Sequence, residues 1–459
     1  MALHSVASLS QATEDIYDDP FSLTQLPKLS LPTQSHPASV VAQLIRDELL
    51  LDGNAKQNLA TFCSTWMEEE VHEIMDLCVD KNMIDKDEYP QTAEIESRCV
   101  HILAKLWNSS EASSTLGCST TGSSEAAMLG GLAMKWRWRK LREAKGLDTS
   151  KPNFVCGPVQ ICWHKFARYF DVELREVPLD GDEVGMNPDK LKEYVDENTI
   201  GVVATLGVTY TCVYEPVETI CQVLDAIEKE QGWDIPVHVD GASGAFIAPF
   251  VQPELIWDFR LERVKSINAS GHKYGLAPLG VGWVIWRSAD ALPEELIFNV
   301  DYLGGNMPTF ALNFSRPGGQ IVAQYYILMR LGFEGFRAIQ QSCMDTAQWL
   351  ADEINKIGPF KLFYDGRGGL PALSYTLTEG DHGFSLYDLS ERVRLRGWQI
   401  ASYPLPDNRQ GTVIQRIMIR HGVSRDLAAL LLNDIKVAVA HLQANPVTNS
   451  AAGRGFSHT

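Results

Sequence analysis

Lys273 is the first candidate for chemistry, because it lies among small residues directly after a predicted strand. The strand covers Val264 to Ile267, and residues 270–273 then read Ser-Gly-His-Lys. Ligands of open α/β sheets bind beyond the carboxyl ends of the strands. A lysine buried there loses the solvation of its ammonium group, which makes its amine nucleophilic at neutral pH. The alternative is a solvated lysine on the surface.

Asp240 is a candidate acid at the end of another predicted strand. Val237 to Val239 form a short β-rich run, and Gly241 and Ala242 follow the acid. The interval between Asp240 and Lys273 is long enough for one helix-containing crossover. A carboxylate in such a position can keep the ring nitrogen of a cofactor protonated. It can also simply cap the next turn.

A hydroxyl-rich stretch, Thr120 to Glu125, precedes a predicted helix. Gly122 lets this turn come close to a ligand, and the first N–H groups of a helix attract an anion. The stretch has four hydroxyl residues, whereas an N-cap needs one. It therefore predicts a phosphate site, with an ordinary N-cap as the alternative.

The three features follow one another along the chain as a phosphate loop, an acid and a lysine. Pyridoxal phosphate (PLP) needs all three, namely an anion site, a carboxylate against its ring nitrogen and a lysine for its aldehyde. Their order on successive elements predicts a PLP enzyme, with Lys273 as the Schiff-base residue.

These residues belong to a region in which short β-rich runs alternate with helical patterns. Helices separate several of the runs at 201–206, 237–239, 264–267 and 282–286, which predicts a mostly parallel sheet with helices on both faces. A helical stretch over 320–357, broken near 332–335, leads to a smaller α/β region. The predicted divisions are an N-terminal segment at 1–55, a large domain at 56–343, a small C-terminal domain at 344–445 and a tail at 446–459.

The composition argues against several classes of protein. The chain has 459 residues and a formal net charge of −18, so nucleic acid is not an expected partner. No stretch has the roughly 20 apolar residues of a membrane span, and residues 1–35 lack the pattern of a secretory signal. The nine scattered cysteines include no CxxC pair, which is typical of reduced thiols in the cytoplasm and opposes a zinc site.

Longer motifs are similar to those of one enzyme family. Residues 51–55, 57–62, 87–90, 156–166 and 314–317 read LDGNA, QNLATF, DEYP, CGPVQICWHKF and FSRP. Together with the Ser-Gly-His-Lys motif, they resemble the PLP-dependent glutamate decarboxylases of the bacterial and plant type, in the group II decarboxylase family. The resemblance covers about residues 40–440 and the extreme C-terminus, and QNLATF and CGPVQICWHKF are its most discriminating motifs.

The resemblance implies a PLP-dependent enzyme of fold type I, the aspartate aminotransferase-like α/β fold, with a mainly parallel seven-stranded sheet and a small C-terminal α/β domain. It implies that Lys273 forms the Schiff base, that Asp240 pairs with the ring nitrogen, and that His272 acts in catalysis and contacts the phosphate. The other implied cofactor contacts are Ser123 and Ser124 at the phosphate, Ser315 at the phosphate of a neighbouring subunit, Thr209 near the ring and Gln160 in the stacking position.

The same resemblance implies a pocket for glutamate. Thr61, Phe62 and Asn82, with Asp85, would surround the distal carboxylate, and Arg416 would hold the α-carboxylate. From the residues alone, Thr61 could cap a helix and Asn82 could close a turn. Likewise, Arg416 could pair with a surface acid.

The implied reaction converts L-glutamate to 4-aminobutyrate and carbon dioxide and consumes a proton, which in bacterial relatives serves acid resistance. The chain ends in a Phe-Ser-His-Thr tail similar to theirs, and neutral His458 is expected to block the Lys273 site above mildly acidic pH. A tail without a role is the alternative. A homo-oligomer, a hexamer built from dimers, is also implied. Calmodulin control is not expected, because Arg454 is the only Lys or Arg after Lys436.

Two other functions stay open on the sequence. One is a PLP decarboxylase of aspartate or of an aromatic amino acid, which the QNLATF motif opposes. The other is a binding protein that has lost catalysis, which the intact Lys273 and Asp240 oppose. His164 is either a contact of the active site or a packed core histidine.

Overall fold

The computed structural model describes residues 27–113, 115–300 and 307–447. Residues 27–57 belong to one compact unit, and the described residues from Asn58 onward belong to a second. In the first unit, helix α1 spans Ala38–Leu49 and a 3-10 turn covers Ala55–Gln57. The predicted site residues that the structure describes all lie in the second unit.

The second unit contains a seven-stranded sheet. Its strands are β1 (Leu116–Thr120), β2 (Asn153–Cys156), β3 (Glu173–Glu176), β4 (Thr199–Thr205), β5 (Val237–Asp240), β6 (Val264–Ser270) and β7 (Gly282–Trp286). Their order across the sheet is β1-β7-β6-β5-β4-β2-β3. Only β7 runs against the other strands of this sheet, since it pairs antiparallel with both β1 and β6. The expected mainly parallel sheet is therefore confirmed.

Helices connect these strands and bury the sheet. Every residue of β4, β5 and β7 is buried, as expected for central strands covered on both faces. The largest buried side chains here include Trp107, Trp163 and Trp283. The helices of this region are α2 (Glu69–Leu77), α3 (Pro90–Leu106), α4 (Ser123–Glu143), α5 (Ile161–Tyr169), α6 (Leu191–Tyr194), α7 (Val217–Gln231) and α8 (Ala248–Val251).

A long helix, α9 (Gly319–Asn355), leads from this sheet to a second one. It is kinked at Gly332, whose φ of 57° lies in the left-handed region that glycine tolerates, at the predicted break. A short antiparallel pair, β8 (Phe298–Val300) and β9 (Met307–Thr309), precedes it. The second sheet is antiparallel and consists of β10 (Phe360–Tyr364), β11 (Ala372–Leu377), β13 (Val413–Met418) and β12 (Ala401–Pro404), in that order.

Helices α10 (Leu386–Arg394) and α11 (Arg425–Ala444) belong to the core beside the second sheet. By length and composition α11 could cross a membrane. The expectation from the sequence that no stretch of the chain is long and apolar enough was therefore wrong. Seven of its residues are buried, and they join the same hydrophobic cluster as Leu373 and Ile417 of the second sheet. Packing of one face in a protein core accounts for this apolar composition. The predicted division at 343/344 between two domains stays a prediction.

The site lies at one edge of the larger sheet. Because β1, β4, β5 and β6 run in the same direction, their last residues meet there: Thr120, Thr205, Asp240 and Ser270. Polar residues at this edge come from four separate segments of the chain. The fold therefore assembles in space what the sequence spreads over about 150 residues.

Candidate active site

A cavity of about 270 Å³ opens at this edge of the sheet. It brings together seven residues that the sequence analysis proposed for a cofactor, and these are Ser123, Ser124, Gln160, Thr209, Asp240, His272 and Lys273. Thr205 also lines the cavity, and its buried hydroxyl has no hydrogen-bond partner within the described chain. An unpaired buried hydroxyl facing a cavity fits a site built for a polar ligand.

The phosphate-loop end of the cavity is the N-terminus of α4. Gly122 occupies the N-cap position with a φ of 156°, and no side chain in the described structure caps the helix. The ordinary hydroxyl cap considered above is thus not what the structure shows. Gly282 permits the close approach of β7, since a Cβ there would lie 2.4 Å from the carbonyl carbon of Gly122. The Ser123 hydroxyl, which does not cap the helix, lies 2.7 Å from the Ser270 hydroxyl. Free N–H groups and hydroxyls at a helix N-terminus suit a phosphate dianion.

Glu125 holds the phosphate loop, a role that the sequence analysis missed. Its carboxylate accepts hydrogen bonds from the backbone N–H of Thr121 (2.8 Å) and from that residue's hydroxyl (2.9 Å). It also accepts from the backbone N–H groups of Leu312 and Asn313 and from the side chain of Asn313. One buried carboxylate therefore ties the loop to the segment that leads to Ser315.

Lys273 lies on the cavity wall with its side chain partly buried. Burial lowers the pKa of its amine from the ordinary lysine range, and the negative charge of Asp240 partly opposes this. The backbone of this turn is fixed from outside the sheet, because the N–H of Ser64 donates to the His272 carbonyl at 2.8 Å and its hydroxyl donates to the Lys273 carbonyl at 3.2 Å. The surface-lysine alternative does not hold.

His272 is a neutral imidazole near neutral pH. Burial, together with the charge of Lys273, lowers its pKa to about 4. The backbone N–H of Val281 donates to Nδ1 at 3.3 Å, which leaves the ring proton on Nε2. The ring is therefore a weak acid and a hydrogen-bond donor in the physiological pH range.

Asp240 is buried at the end of β5, with hydrogen bonds to both carboxylate oxygens. Oδ2 accepts from Nε1 of Trp163 at 2.8 Å. Oδ1 accepts from the side chain of Asn268 and from the backbone N–H of Ala242, each at 3.1 Å. Asp240 therefore caps the following turn and also lies on the cavity wall. Gln160 lies across the cavity wall at the start of α5, where its side-chain oxygen accepts from the backbone N–H of Cys162 at 2.6 Å.

Arg416 and Phe62 adjoin Lys273 without belonging to the cavity lining. The Phe62 ring lies 5.0 Å from Nζ of Lys273 and 4.4 Å from the guanidinium carbon of Arg416. Arg416 is buried and donates to the backbone carbonyls of Thr209 and Ala60, so it does not pair with a surface acid. Its buried Nε has no partner within the described chain.

Thr61 precedes Phe62 in an irregular segment. Its hydroxyl accepts from the backbone N–H of Cys63 at 3.2 Å, so it stabilises a turn and does not cap a helix. Arg420 holds the same segment by donating to the carbonyls of Asn58 and Cys63. Strand β13 and the residues after it thus fix the position of Phe62.

Asn82, Asp85 and Ser315 form a separate group. The Asn82 side chain lies 3.4 Å from the Ser315 hydroxyl and accepts from the backbone N–H of Arg316, while its carbonyl closes a turn to Asp85. Ser315 is exposed. Among the described residues, no hydrogen bond or ion pair joins these three side chains to the cavity lining. None of the three lines the cavity, although Glu125 of the lining holds Asn313, two residues before Ser315.

Two further predictions concern histidines. His164 is on the surface, where Nε2 lies 3.8 Å from the carboxylate of Glu176, so the core-histidine alternative is wrong. It does not line the cavity beside Lys273. His458 lies outside the described residues, and its expected role stays a prediction.

Comparison with known proteins assigns the chain to a family. The model of the pyridoxal-dependent decarboxylase conserved domain matches residues 32–377. The chain belongs to the pyridoxal-dependent decarboxylase family. A glutamate decarboxylase of Aliivibrio fischeri is 60% identical over the full length of both chains, and one of Lactococcus lactis is 48% identical over 94% of this chain and 93% of its own.

Solved structures confirm the predicted fold type. The Lactobacillus brevis glutamate decarboxylase matches with a TM-score of 0.90 and 45% identity over 98% of this chain and all of its own. A sphingosine-1-phosphate lyase of Burkholderia pseudomallei, at 22% identity, matches with a TM-score of 0.76 over 94% of this chain and 96% of its own. This second likeness bears on the fold alone. As a pyridoxal-dependent decarboxylase, the chain uses PLP as its cofactor.

Proposed function

We propose that this pyridoxal-dependent decarboxylase converts L-glutamate to 4-aminobutyrate and carbon dioxide. The observation that carries the proposal is the convergence of the Lys273 amine, the Asp240 carboxylate and the N-terminus of α4 on one cavity. The substrate class rests on the full-length similarity to glutamate decarboxylases. The cavity residues would support decarboxylation, Arg416 would bind the α-carboxylate that every amino acid has, and Thr61 and Phe62 would contact the distal carboxylate.

The residues fit PLP group by group. Ser123, Ser124 and the first turn of α4 would hold the phosphate, aided by the Nε2–H of His272. Asp240 would face the ring nitrogen, and the Lys273 amine would bond the aldehyde carbon. Gln160 and Thr209 would flank the ring. When bound, PLP supplies a protonated ring that accepts the electron pair released at Cα on loss of carbon dioxide.

Arg416 is the proposed partner of the substrate α-carboxylate. Its guanidinium is pre-positioned by two backbone carbonyls and by the Phe62 ring, and its Nε remains unpaired. A carboxylate would satisfy this buried donor, whereas an apolar group would leave it unsatisfied. A fixed guanidinium would also hold that carboxylate in one orientation.

Lys273 is the proposed proton donor to Cα. Burial lowers the pKa of its amine, so the amine gives up a proton more readily than an ordinary lysine, and it lies on the cavity wall. His272 is a poorer donor, because its pKa of about 4 leaves only the neutral imidazole at higher pH. Its Nε2–H then orients an anion but does not release a proton easily.

Asn82, Asp85 and Ser315 are proposed to act on a second copy of the chain. Ser315 would reach the phosphate of a neighbouring subunit, and Asn82 and Asp85 would complete its pocket for the distal carboxylate. Their absence from the lining of the cavity in their own chain and the exposure of Ser315 support this arrangement. A homo-oligomer, and specifically a hexamer built from dimers, follows as part of the proposal.

Two further parts of the proposal concern the C-terminal residue His458, which lies outside the described residues, and the cellular setting of the protein. His458 is proposed to block the Lys273 site when neutral, so deletion of residues 455–459 should extend activity toward neutral pH. An unchanged pH profile would contradict that role. A cytoplasmic location and independence from calmodulin stay predictions of the sequence.

A substrate panel tests the proposed function. The purified protein with PLP is incubated with glutamate, aspartate or an aromatic amino acid between about pH 4 and pH 8, and products are followed by NMR. We expect carbon dioxide and 4-aminobutyrate in equal amounts from glutamate, and little turnover of the other two. Preferential decarboxylation of aspartate or of the aromatic substrate would refute the assignment. A PLP-loaded protein inactive on all three would favour the binding-protein alternative.

A further inference from the structure

A line of buried polar side chains runs behind Asp240 and takes no part in the function described so far. Strands β5 and β6 pair so that His238 lies beside Ser266 and Asp240 lies beside Asn268. Side chains of a strand alternate between its faces, so these residues share one face of the sheet. All four are at least 96% buried. Buried polar groups of this kind need hydrogen-bond partners to be tolerated.

The hydrogen bonds along this line have one direction. Asn268 donates through Nδ2 to Asp240 at 3.1 Å, so its Oδ1 is an acceptor, and the bond of 2.7 Å from His238 Nε2 must carry the imidazole proton. The other ring nitrogen, Nδ1, then accepts from the Ser266 hydroxyl at 2.6 Å. We assign the histidine tautomer and the amide orientation from this network. Each donor points toward the carboxylate.

Trp163 completes the arrangement from the side of α5. Its indole N–H donates to Oδ2 of Asp240, and its ring packs edge-on against His238 with ring centroids 5.2 Å apart. Helix α4 must come close for this packing, because a Cβ on Gly130 would lie 2.4 Å from the imidazole. The same tryptophan therefore contacts two members of the line, Asp240 and His238.

Every member of the line other than Asp240 is uncharged. Burial lowers the pKa of His238 and keeps it neutral, although Asn268 and Asp240 oppose this. In the described part of the chain, no lysine, arginine or histidine forms an ion pair with Asp240. Neutral donors stabilise a carboxylate without cancelling its charge, and a chain of aligned bonds strengthens the last one. The negative charge of Asp240 thus remains available to a cation in the cavity.

We propose that Ser266, His238 and Asn268 form a directional hydrogen-bond relay that, with Trp163, orients the Asp240 carboxylate and so strengthens its hold on a protonated cofactor ring nitrogen. These are positioning residues that act through Asp240. The inference rests on the proposed function in one respect, namely that the ring nitrogen faces Asp240. It predicts that disrupting the relay weakens binding only of a cofactor that has this nitrogen. A general packing role would instead change the affinity for any cofactor of the same shape.

The test compares two cofactors that differ at one atom. Dissociation constants of PLP and of its 1-deaza analogue, which carries a C–H in place of the ring nitrogen, are measured for the full-length chain. Substitutions Asn268→Ser and Trp163→Phe should each weaken PLP binding about tenfold, the cost of a hydrogen bond to a charged group. They should leave binding of the deaza analogue within about twofold, because it offers Asp240 no cation.

Matched controls exist elsewhere in the same sheet and cluster. Asn153 is a fully buried asparagine in β2 that donates to Asp196 and accepts from Thr199, away from the cavity. Trp138 belongs to the same hydrophobic cluster as Trp163, and its indole N–H donates to the carbonyl of Glu197. The variants Asn153→Ser and Trp138→Phe should change the affinities for both cofactors equally.

Asp240→Asn separates failure of the relay from failure of the proposed function. It should weaken PLP binding relative to the deaza analogue by at least as much as the two relay variants. If Asp240→Asn selects against PLP but Asn268→Ser and Trp163→Phe behave like their controls, the relay is refuted. If Asp240→Asn affects both cofactors equally, the ring nitrogen does not face Asp240, and the proposed placement and the relay fail together.

Discussion

Two parts of the molecule carry the proposed active-site residues, and they are built in different ways. Around Lys273, polar side chains lie at the ends of strands and are held by hydrogen bonds from the sheet, from α5 and from the segment of Ser64. Asn82, Asp85 and Ser315 instead lie at or near the surface on separate loops. The first part can be positioned before any ligand arrives, whereas the second needs a facing surface.

This difference indicates which half of the chemistry belongs to a single chain. Binding of the cofactor and bond breaking at Cα need charged groups that are fixed in place, and the residues at the sheet edge are held in this way. Recognition of the distal carboxylate needs only a few polar groups that close over the substrate. Loops on a second copy could supply these groups.

The largest expected effect comes from removing the amine at the centre of the first part. Lys273→Ala should lower turnover at least about a thousandfold, because both the covalent anchor and the proton donor are lost. It should also abolish the visible absorbance of the bound cofactor. Lys265→Ala, near the start of the strand β6 that precedes Lys273, is the matched control and should retain both properties. Full activity of Lys273→Ala would contradict the assignment.

Mixed oligomers test whether the second part acts on a partner. Lys273→Ala and Asp85→Ala are each expected to be weakly active or inactive. After the two are unfolded together and refolded, about a quarter of the sites should recover, since half of randomly formed dimers are mixed and each has one intact site. A mixture no more active than the average of its two components would show that Asp85 acts within its own chain.

Arg416 adjoins the first part and should affect binding more than chemistry. Arg416→Lys keeps the charge but loses the planar, doubly anchored guanidinium, so we expect KM for glutamate to rise about 10- to 100-fold with a smaller fall in kcat. Arg409→Lys is the control, because Arg409 also donates to a backbone carbonyl and packs on a phenylalanine. A fall confined to kcat would indicate a role other than binding the α-carboxylate.

Glu215 should make the free energy of unfolding depend on pH. Its fully buried carboxylate accepts from the backbone N–H groups of Thr205 and Met186, yet burial raises its pKa to about 7. The folded chain then holds a proton that the unfolded chain has released, so stability should fall as pH rises from about 4.5 to about 7, by on the order of 3 kcal/mol.

Thermal unfolding across this pH range measures the effect. The variant Glu215→Gln cannot titrate and should show a shallower fall of the unfolding midpoint with pH. Glu143→Gln, an exposed carboxylate in α4, should retain the wild-type slope. Parallel slopes for wild type and Glu215→Gln would show that another group titrates here, such as Glu176, whose pKa burial also raises to about 7.

The sequence predicted which residues of the first part lie together at the cavity, because each of the main ones follows a local signal. Lys273 and Asp240 come after β-rich runs, and Ser123 starts a helix after a glycine. The residues that support them were missed, since Trp163 and Asn268 look like ordinary members of an apolar core. Polar residues at alternate positions of a buried strand, as at Ser266, Asn268 and Ser270, are a signal that could have found the relay.

The second part could not be placed from the sequence. The local pattern allows a turn at Asn82, but the patterns around Asn82 and Ser315 carry no information on which cavity these side chains face. Likewise, nothing in the pattern around Arg416 shows that two backbone carbonyls and the Phe62 ring hold its guanidinium. Such contacts join residues far apart in the chain, and they follow from the tertiary fold.

The most direct test of the central assignment is to locate the covalent link to the cofactor. The protein with bound PLP is reduced with borohydride, digested and sequenced by mass spectrometry. We predict a single phosphopyridoxyl group on Lys273, and its absence from Lys273→Ala. Labelling of a different lysine in the wild-type protein, or of none, would contradict the account.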